Sequence, residues 1–298
     1  MKFYVDSYHF KLLRDYERLS VFKEAIEEFS KDDFISSSLS NSNLDNLSSS
    51  DSDSNVAYDL GCGSGVLSYL ASGYFDKIIS IEMNSSIFKC ARENLKSFDN
   101  IEVFNENVLD FDFSSFPKAD LIICEMLDTA LIDEEEVPIL NYAKSFLKEN
   151  GKIIPQGIVN SAEPVFMNID YLQYEDDEFQ PIYDVLGKSV IFSQFDFLDD
   201  IDENFSCIIE FEIDDSYAGE KTEYFNSNED KIKVNGIKLT SFTKLNENII
   251  CGPTPMLNPS MLVPFEGIEV EKGEKIRIKL SYVMGGGVET IKTEVLDS

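Results

Sequence analysis

Three groups of residues have the types and spacing to do chemistry. In VAYDLGCGSG, positions 56–65, an apolar run carries one acid, Asp59, and is followed by Gly61, Gly63 and Gly65 where a helical pattern opens. Glycines there let the main chain approach a ligand closely, and a helix start offers free N–H groups. A dinucleotide fingerprint would place its third glycine at position 66, which is Val66, so a pyrophosphate cradle fits poorly. The second group is Glu82 with Met83, ending the apolar run KIISIEM 21 residues after Gly61, where a carboxylate can take both hydroxyls of a ribose. The third is Glu125, ending the apolar run ADLIIC, with Glu134 nine positions later. Two carboxylates converging there could clamp a planar guanidinium, which presents five donors in a rigid fork. Asp133, Glu134, Glu135 and Glu136 also stand where a helix starts, and the helix dipole favours acids there whether or not they bind anything.

The elements that must position these residues follow from hydrophobic period. Residues 56–60, 77–81, 101–104, 121–124 and 152–154 read as buried strands, alternating with helical patterns near 65–72, 85–96 and 135–148. That alternation predicts a parallel sheet covered on both faces. Its ligands bind beyond the carboxyl ends of the strands, where Glu82 and Glu125 fall. One amphipathic helix is expected over residues 8–30, with Phe10, Leu13, Tyr16, Leu19, Phe22 and Ile26 at helical spacing. Residues 36–55 hold ten Ser, four Asn and three Asp, too little apolar surface to offset the entropy of ordering them. Beyond Pro155 the period becomes two, as in 206–213, 231–239 and 275–283, which predicts an antiparallel β domain. Asn235-Gly236 between two such runs reads as a hairpin turn.

Composition excludes several classes. The chain has 298 residues, 43% of them hydrophobic and 27% charged, so it can bury a sizeable core, and its length suggests roughly two domains. No apolar stretch approaches the roughly 20 residues of a membrane span, and the start lacks a signal peptide's apolar core, so a cytoplasmic protein is expected. Cys62, Cys90, Cys124, Cys207 and Cys251 are odd in number and form no CxxC pair, which predicts reduced thiols and no metal site. The net charge of −31 repels nucleic acid and favours a cationic partner.

Together the glycine turn, Asp59 and Glu82 resemble the S-adenosylmethionine site of class I methyltransferases. The resemblance implies an adenine contact at ENVLD, through Asn107 and Val108, beside a neighbouring acid. The segment from Glu125 through Glu134 to Gly151 and Pro155 resembles the double-glutamate loop of protein arginine methyltransferases. The opening VDSYHF and RDYERLSVF is similar to that family's first helix, which folds over the donor; Arg18 matches its ligand for the methionine carboxylate, and PFEGIEVEKGEKIRIKLSY resembles its closing barrel strands.

The implied fold is an α/β, Rossmann-like class I methyltransferase sheet followed by an antiparallel β-barrel-like domain. Its parts are a helix covering the cofactor (1–32), a flexible linker (33–54), the donor-binding domain (55–155) and a substrate domain (156–298). The implied activity is methyl transfer from S-adenosylmethionine, yielding S-adenosylhomocysteine, to arginine or another cationic nitrogen of a basic protein or peptide, with Glu125 and Glu134 catalytic. RNA or small-molecule methylation on the same fold, and a catalytically silent scaffold, remain alternatives. Several features depart from the family. No Trp is present, the Thr-His-Trp segment is replaced by MLNPSML at 256–262, and the only histidine is His9, so Asp15 lacks its usual His partner. Met126, Leu127 and Asp128 replace the aromatic and glycine residues after the first glutamate, and a dimerisation arm could only be a short one within 171–187.

Overall fold

The computed structural model describes residues 3–31, 54–175, 180–217 and 231–296. The chain opens with α1 (Ser7–Arg14) and α2 (Tyr16–Lys31), so the single helix expected over 8–30 is two. Asp15 breaks it, because its side chain caps α2 by accepting from the Arg18 amide at 3.0 Å while its backbone leaves helical geometry.

Next come β1 (Val56–Leu60), α3 (Val66–Ala71), β2 (Lys77–Ile81), α4 (Ser85–Leu95), β3 (Ile101–Phe104), β4 (Ala119–Cys124), α5 (Glu136–Ala143) and β5 (Leu147–Ile154). The strands form one parallel sheet in the order β3-β2-β1-β4-β5. β1 and β4 are buried along their whole length, which is why they read as unbroken apolar runs rather than alternations. α5 ends five residues earlier than its sequence pattern implies, where Tyr142 and Phe146 pack on Phe113 and Leu147 already enters β5.

The second half contains β6 (Gly157–Met167), β7 (Gln173–Tyr174), β8 (Tyr183–Val185), β9 (Val190–Asp196), β10 (Asn204–Glu212), β11 (Lys231–Lys244), β12 (Ile250–Cys251), β13 (Met261–Glu271), β14 (Lys275–Val283) and β15 (Lys292–Leu296). These strands form an antiparallel sheet β7-β13-β11-β6-β8, with β9 on β6 and β12 on β11, and a smaller sheet β10-β14-β15. Among the described residues no ladder closes them into a barrel. Phe192 and Phe195 of β9 instead pack on Phe205 of β10, at 5.9 and 6.0 Å between ring centroids. Asn235-Gly236 is no hairpin turn: β11 runs through it with a bulge, paired on both sides, and the Asn235 amide bonds Met167 N and O at 2.8 Å each. The linker expected at 33–54 lies, apart from Ser54, outside the described residues. The stretch expected to hold a dimerisation arm supplies β7 and β8 at opposite edges of the larger sheet, with 176–179 outside the described residues. One continuous hydrophobic core joins the parallel sheet to the antiparallel ones.

Candidate active site

A cavity of 260 Å³ lies beyond the carboxyl ends of β1, β2 and β4. Its floor is the turn after β1, where Gly61, Gly63 and Gly65 all have positive φ. A Cβ on Gly61 would lie 2.6 Å from Met126 Sδ, and one on Gly65 would lie 2.5 Å from Leu95 Cδ1, so both positions need glycine for space as well as conformation. Gly61 and Gly63 line the cavity, whereas Gly65 turns the chain into α3.

Glu82 lines the same cavity, and backbone amides orient its carboxylate: Oε2 accepts from Gly63 N at 3.0 Å and Oε1 from Asn84 N at 2.6 Å. Met83 beside it is exposed, and Asn107 and Val108 form the facing wall. The Asn107 side chain accepts from Leu109 N at 2.9 Å and so shapes its turn. Glu106, which sequence reasoning passed over in favour of Asn107 or Asp110 as the stand-in for the family's acid, also lines the cavity, whereas Asp110 does not. Asp59 is placed differently from its expected contact with the cofactor. It lies buried behind the glycine turn, accepts from the Ser68 hydroxyl and is pushed up to about 6 by burial, while Ser68 meets Ser80 at 2.7 Å. Its structural effect is to tie β1 to α3 and β2.

Arg18 and Glu125 meet in a buried ion pair in the cavity wall. Burial pushes the Glu125 carboxyl up, and the Arg18 guanidinium opposes that rise. Arg18 Nε finds no acceptor among the described residues, which leaves a buried donor for a ligand anion. Glu134 lies on the same cavity, pushed up by burial and by the charges of Asp133, Glu125 and Glu135.

The segment between the two glutamates is over-determined. Ala130 and Leu131 take left-handed φ values of 60° and 62°, a conformation that costs a non-glycine residue about 1–2 kcal/mol. Bonds from the second half hold it there: Ala130 N donates to Ser241 Oγ at 2.8 Å, Thr129 Oγ1 to Pro259 O at 2.6 Å, and Gly285 N to Leu131 O at 3.0 Å. Glu136 is fully buried just beyond; its Oε2 accepts from Met126 N at 3.0 Å, and burial pushes its carboxyl up to about 8.

Tyr8 and His9 of α1 form the roof. His9 meets Asp6 at 2.9 Å through Nδ1, and the signal for that contact was the i, i+3 spacing of DSYH. Both ends of α1 are pinned. The buried Asn94 side chain accepts from Tyr4 N at 2.7 Å and donates to Tyr4 O at 3.0 Å, while Asp15 accepts from the Thr254 hydroxyl and from Met256 N at 3.3 Å. Thr254 thus stands as partner to Asp15, two residues before the segment in which the family's histidine is missing.

Residues 51–182 match the family described as "Methyltransferase domain". An uncharacterized protein of Methanothermobacter thermautotrophicus is 38% identical over 99% of this chain and 100% of its own length. Another, of Methanocaldococcus jannaschii, is 32% identical over 98% of this chain and 97% of its own. The Trypanosoma brucei PRMT1 enzyme-prozyme heterotetrameric complex with AdoHcy matches with a TM-score of 0.68 at 17% identity, over 98% of this chain and 99% of that chain, a likeness of fold. The chain therefore belongs to one family with those two full-length relatives, matches a methyltransferase domain over residues 51–182 and shares the fold of the arginine methyltransferase structure along nearly its whole length.

Proposed function

We propose that the chain transfers a methyl group from S-adenosylmethionine to a cationic nitrogen, an arginine guanidinium of a basic protein or peptide being the best fit. The observation that carries this reading is that Glu125 and Glu134 face one cavity with the glycine turn and Glu82. Residues 55–155 would bind the donor, 1–32 cover it, and the antiparallel half present the acceptor.

Donor and cavity fit in three respects. The Glu82 carboxylate is pre-oriented for a diol, the Gly61 and Gly63 main chain leaves room for close approach, and the buried Arg18 guanidinium has a spare donor for a carboxylate. The donor supplies an electrophilic methyl on a sulfonium. Glu125 and Glu134 would hold the acceptor guanidinium and draw its positive charge away from the attacking nitrogen. Bound there, the donor would supply the methyl group, and the proton released by the acceptor nitrogen would pass to solvent water, so the residues of the cavity would need no separate base. The protein's main task is to align the reactants and exclude water, to which α1 contributes as roof.

The test is calorimetric titration with S-adenosylmethionine followed by labelled-methyl transfer to peptide and RNA pools. Label in arginine-containing peptides supports the proposal. Label confined to RNA redirects it to an RNA methyltransferase, and binding without transfer to any pool leaves a donor-binding scaffold.

A further inference from the structure

Asp128 lies between the two glutamates, at a position where this chain departs from the family it resembles, and it is buried. Its two oxygens accept from consecutive main-chain amides: Oδ2 from Asp133 N at 2.9 Å and Oδ1 from Glu134 N at 3.3 Å. The Asp128 side chain brackets the backbone carrying Glu134 from within the loop, and Tyr174 of β7 in turn hydrogen-bonds the Asp128 carboxylate. The rest of the loop is hydrogen-bonded from outside, by Ser241, Pro259, Gly285 and Gly287, but those bonds end at Ile132. Asp133 N and Glu134 N have no helical partner before α5 begins at Glu136, so the Asp128 carboxylate takes the place that a turn or cap would fill.

We infer that Asp128 is a positioning residue whose carboxylate fixes the main chain of Glu134 and so sets how tightly the acceptor is held. The inference rests on the proposed role of Glu134 as an acceptor ligand. An ionised carboxylate accepts at both oxygens, whereas a protonated one turns one oxygen into a donor and weakens one of the two bonds. Burial pushes the Asp128 carboxyl up to about 7, against the two amide bonds, with Asp133 and Glu134 pushing it further. The other ionisable groups facing it are Tyr174 of β7 and Tyr282 of β14, both held protonated by burial and by the charge of Asp128. The bracket therefore tightens as pH rises through about 7 and loosens as it falls.

The experiment measures amide hydrogen exchange at Asp133 and Glu134, corrected for the intrinsic pH dependence of exchange, in the wild type and Asp128→Asn between pH 6 and 8. Protection that rises with pH in the wild type and, in the variant, is independent of pH and low at one of the two amides is expected. In parallel, KM for an arginine-containing peptide should rise about tenfold in Asp128→Asn, the loss expected when a buried donor is left without its acceptor, while the S-adenosylmethionine Kd stays unchanged. Equal protection in both proteins at every pH overturns the inference, as does a variant with wild-type peptide KM. Should the variant not fold, the wild-type pH series decides alone. If no guanidinium acceptor is methylated by the wild type, the proposed acceptor fails, but the exchange data still judge the role of Asp128.

Discussion

The guanidinium of Arg18 is paired with the carboxylate of Glu125 inside the protein, so these two charges of the cavity wall are joined to each other. Removing one member of a buried pair strands the other, at a cost of about 3–5 kcal/mol. Glu125→Gln keeps an oxygen that can accept from Arg18 but leaves that charge uncompensated, so it should fold with a lowered thermal midpoint. It should lose turnover while binding S-adenosylmethionine nearly as well. Arg18→Ala removes both the partner of Glu125 and the spare donor and should lower thermal stability and donor affinity together. Unchanged turnover in Glu125→Gln, measured with labelled donor, would sink the assignment of that glutamate.

The Glu82 carboxylate ties the glycine turn to the end of β2 through Gly63 N and Asn84 N. Glu82→Ala therefore removes a donor ligand and two loop anchors at once. If wild-type affinity is micromolar, or about 8 kcal/mol, calorimetry on the variant should show no heat at the same concentrations. Glu82→Gln retains one acceptor oxygen and should bind with intermediate affinity. A fully retained affinity in Glu82→Ala would place the donor elsewhere.

The parallel half was legible because its strands are apolar runs ended by polar residues or glycine: 56–60, 77–81 and 101–104 coincide with β1, β2 and β3. Glu82, Glu125 and Glu134 were legible for the same reason, each ending or following such a run. Asp59 was misplaced because an acid in a buried strand has two ways to be satisfied, and the Ser68 hydroxyl that satisfies it lies nine residues away on α3. Asn235-Gly236 carries a true turn signal that long-range pairing of β11 with β6 and β13 overrides. The break at Asp15 was hidden by an unbroken apolar period, and the contact that exploits it, from Thr254, spans more than two hundred residues.

That contact gives the next prediction. The Thr254 hydroxyl holds Asp15 at the hinge between α1 and α2, and Asn94 holds the other end of α1. Thr254→Val keeps the shape and removes the donor, a loss of about 1 kcal/mol for one buried hydrogen bond. The variant should unfold at slightly lower denaturant and release S-adenosylmethionine faster, since at the hinge end the roof is then held only by the longer bond from Met256 N to Asp15. Stopped-flow release rates equal to those of the wild type would show that the Thr254 bond does not hold the roof.

Glu136 sets a pH dependence of stability whose sign can be worked out. Burial pushes its carboxyl up to about 8 in the folded chain, whereas an unfolded glutamate titrates near 4.5. Between those values the folded state keeps a proton that the unfolded state has lost, so its contribution to stability is fully present below about 4.5, declines as pH rises and is gone above about 8. Glu136→Gln removes that titration while keeping an oxygen for Met126 N. Denaturation series from pH 5 to 9 should therefore show the wild type losing stability with rising pH faster than the variant, with the difference levelling off above about 8. The subtraction matters because a chain of net charge −31 carries many other acids, whose repulsion is common to both proteins. Parallel curves would mean that Glu136 is already ionised in the folded state at neutral pH.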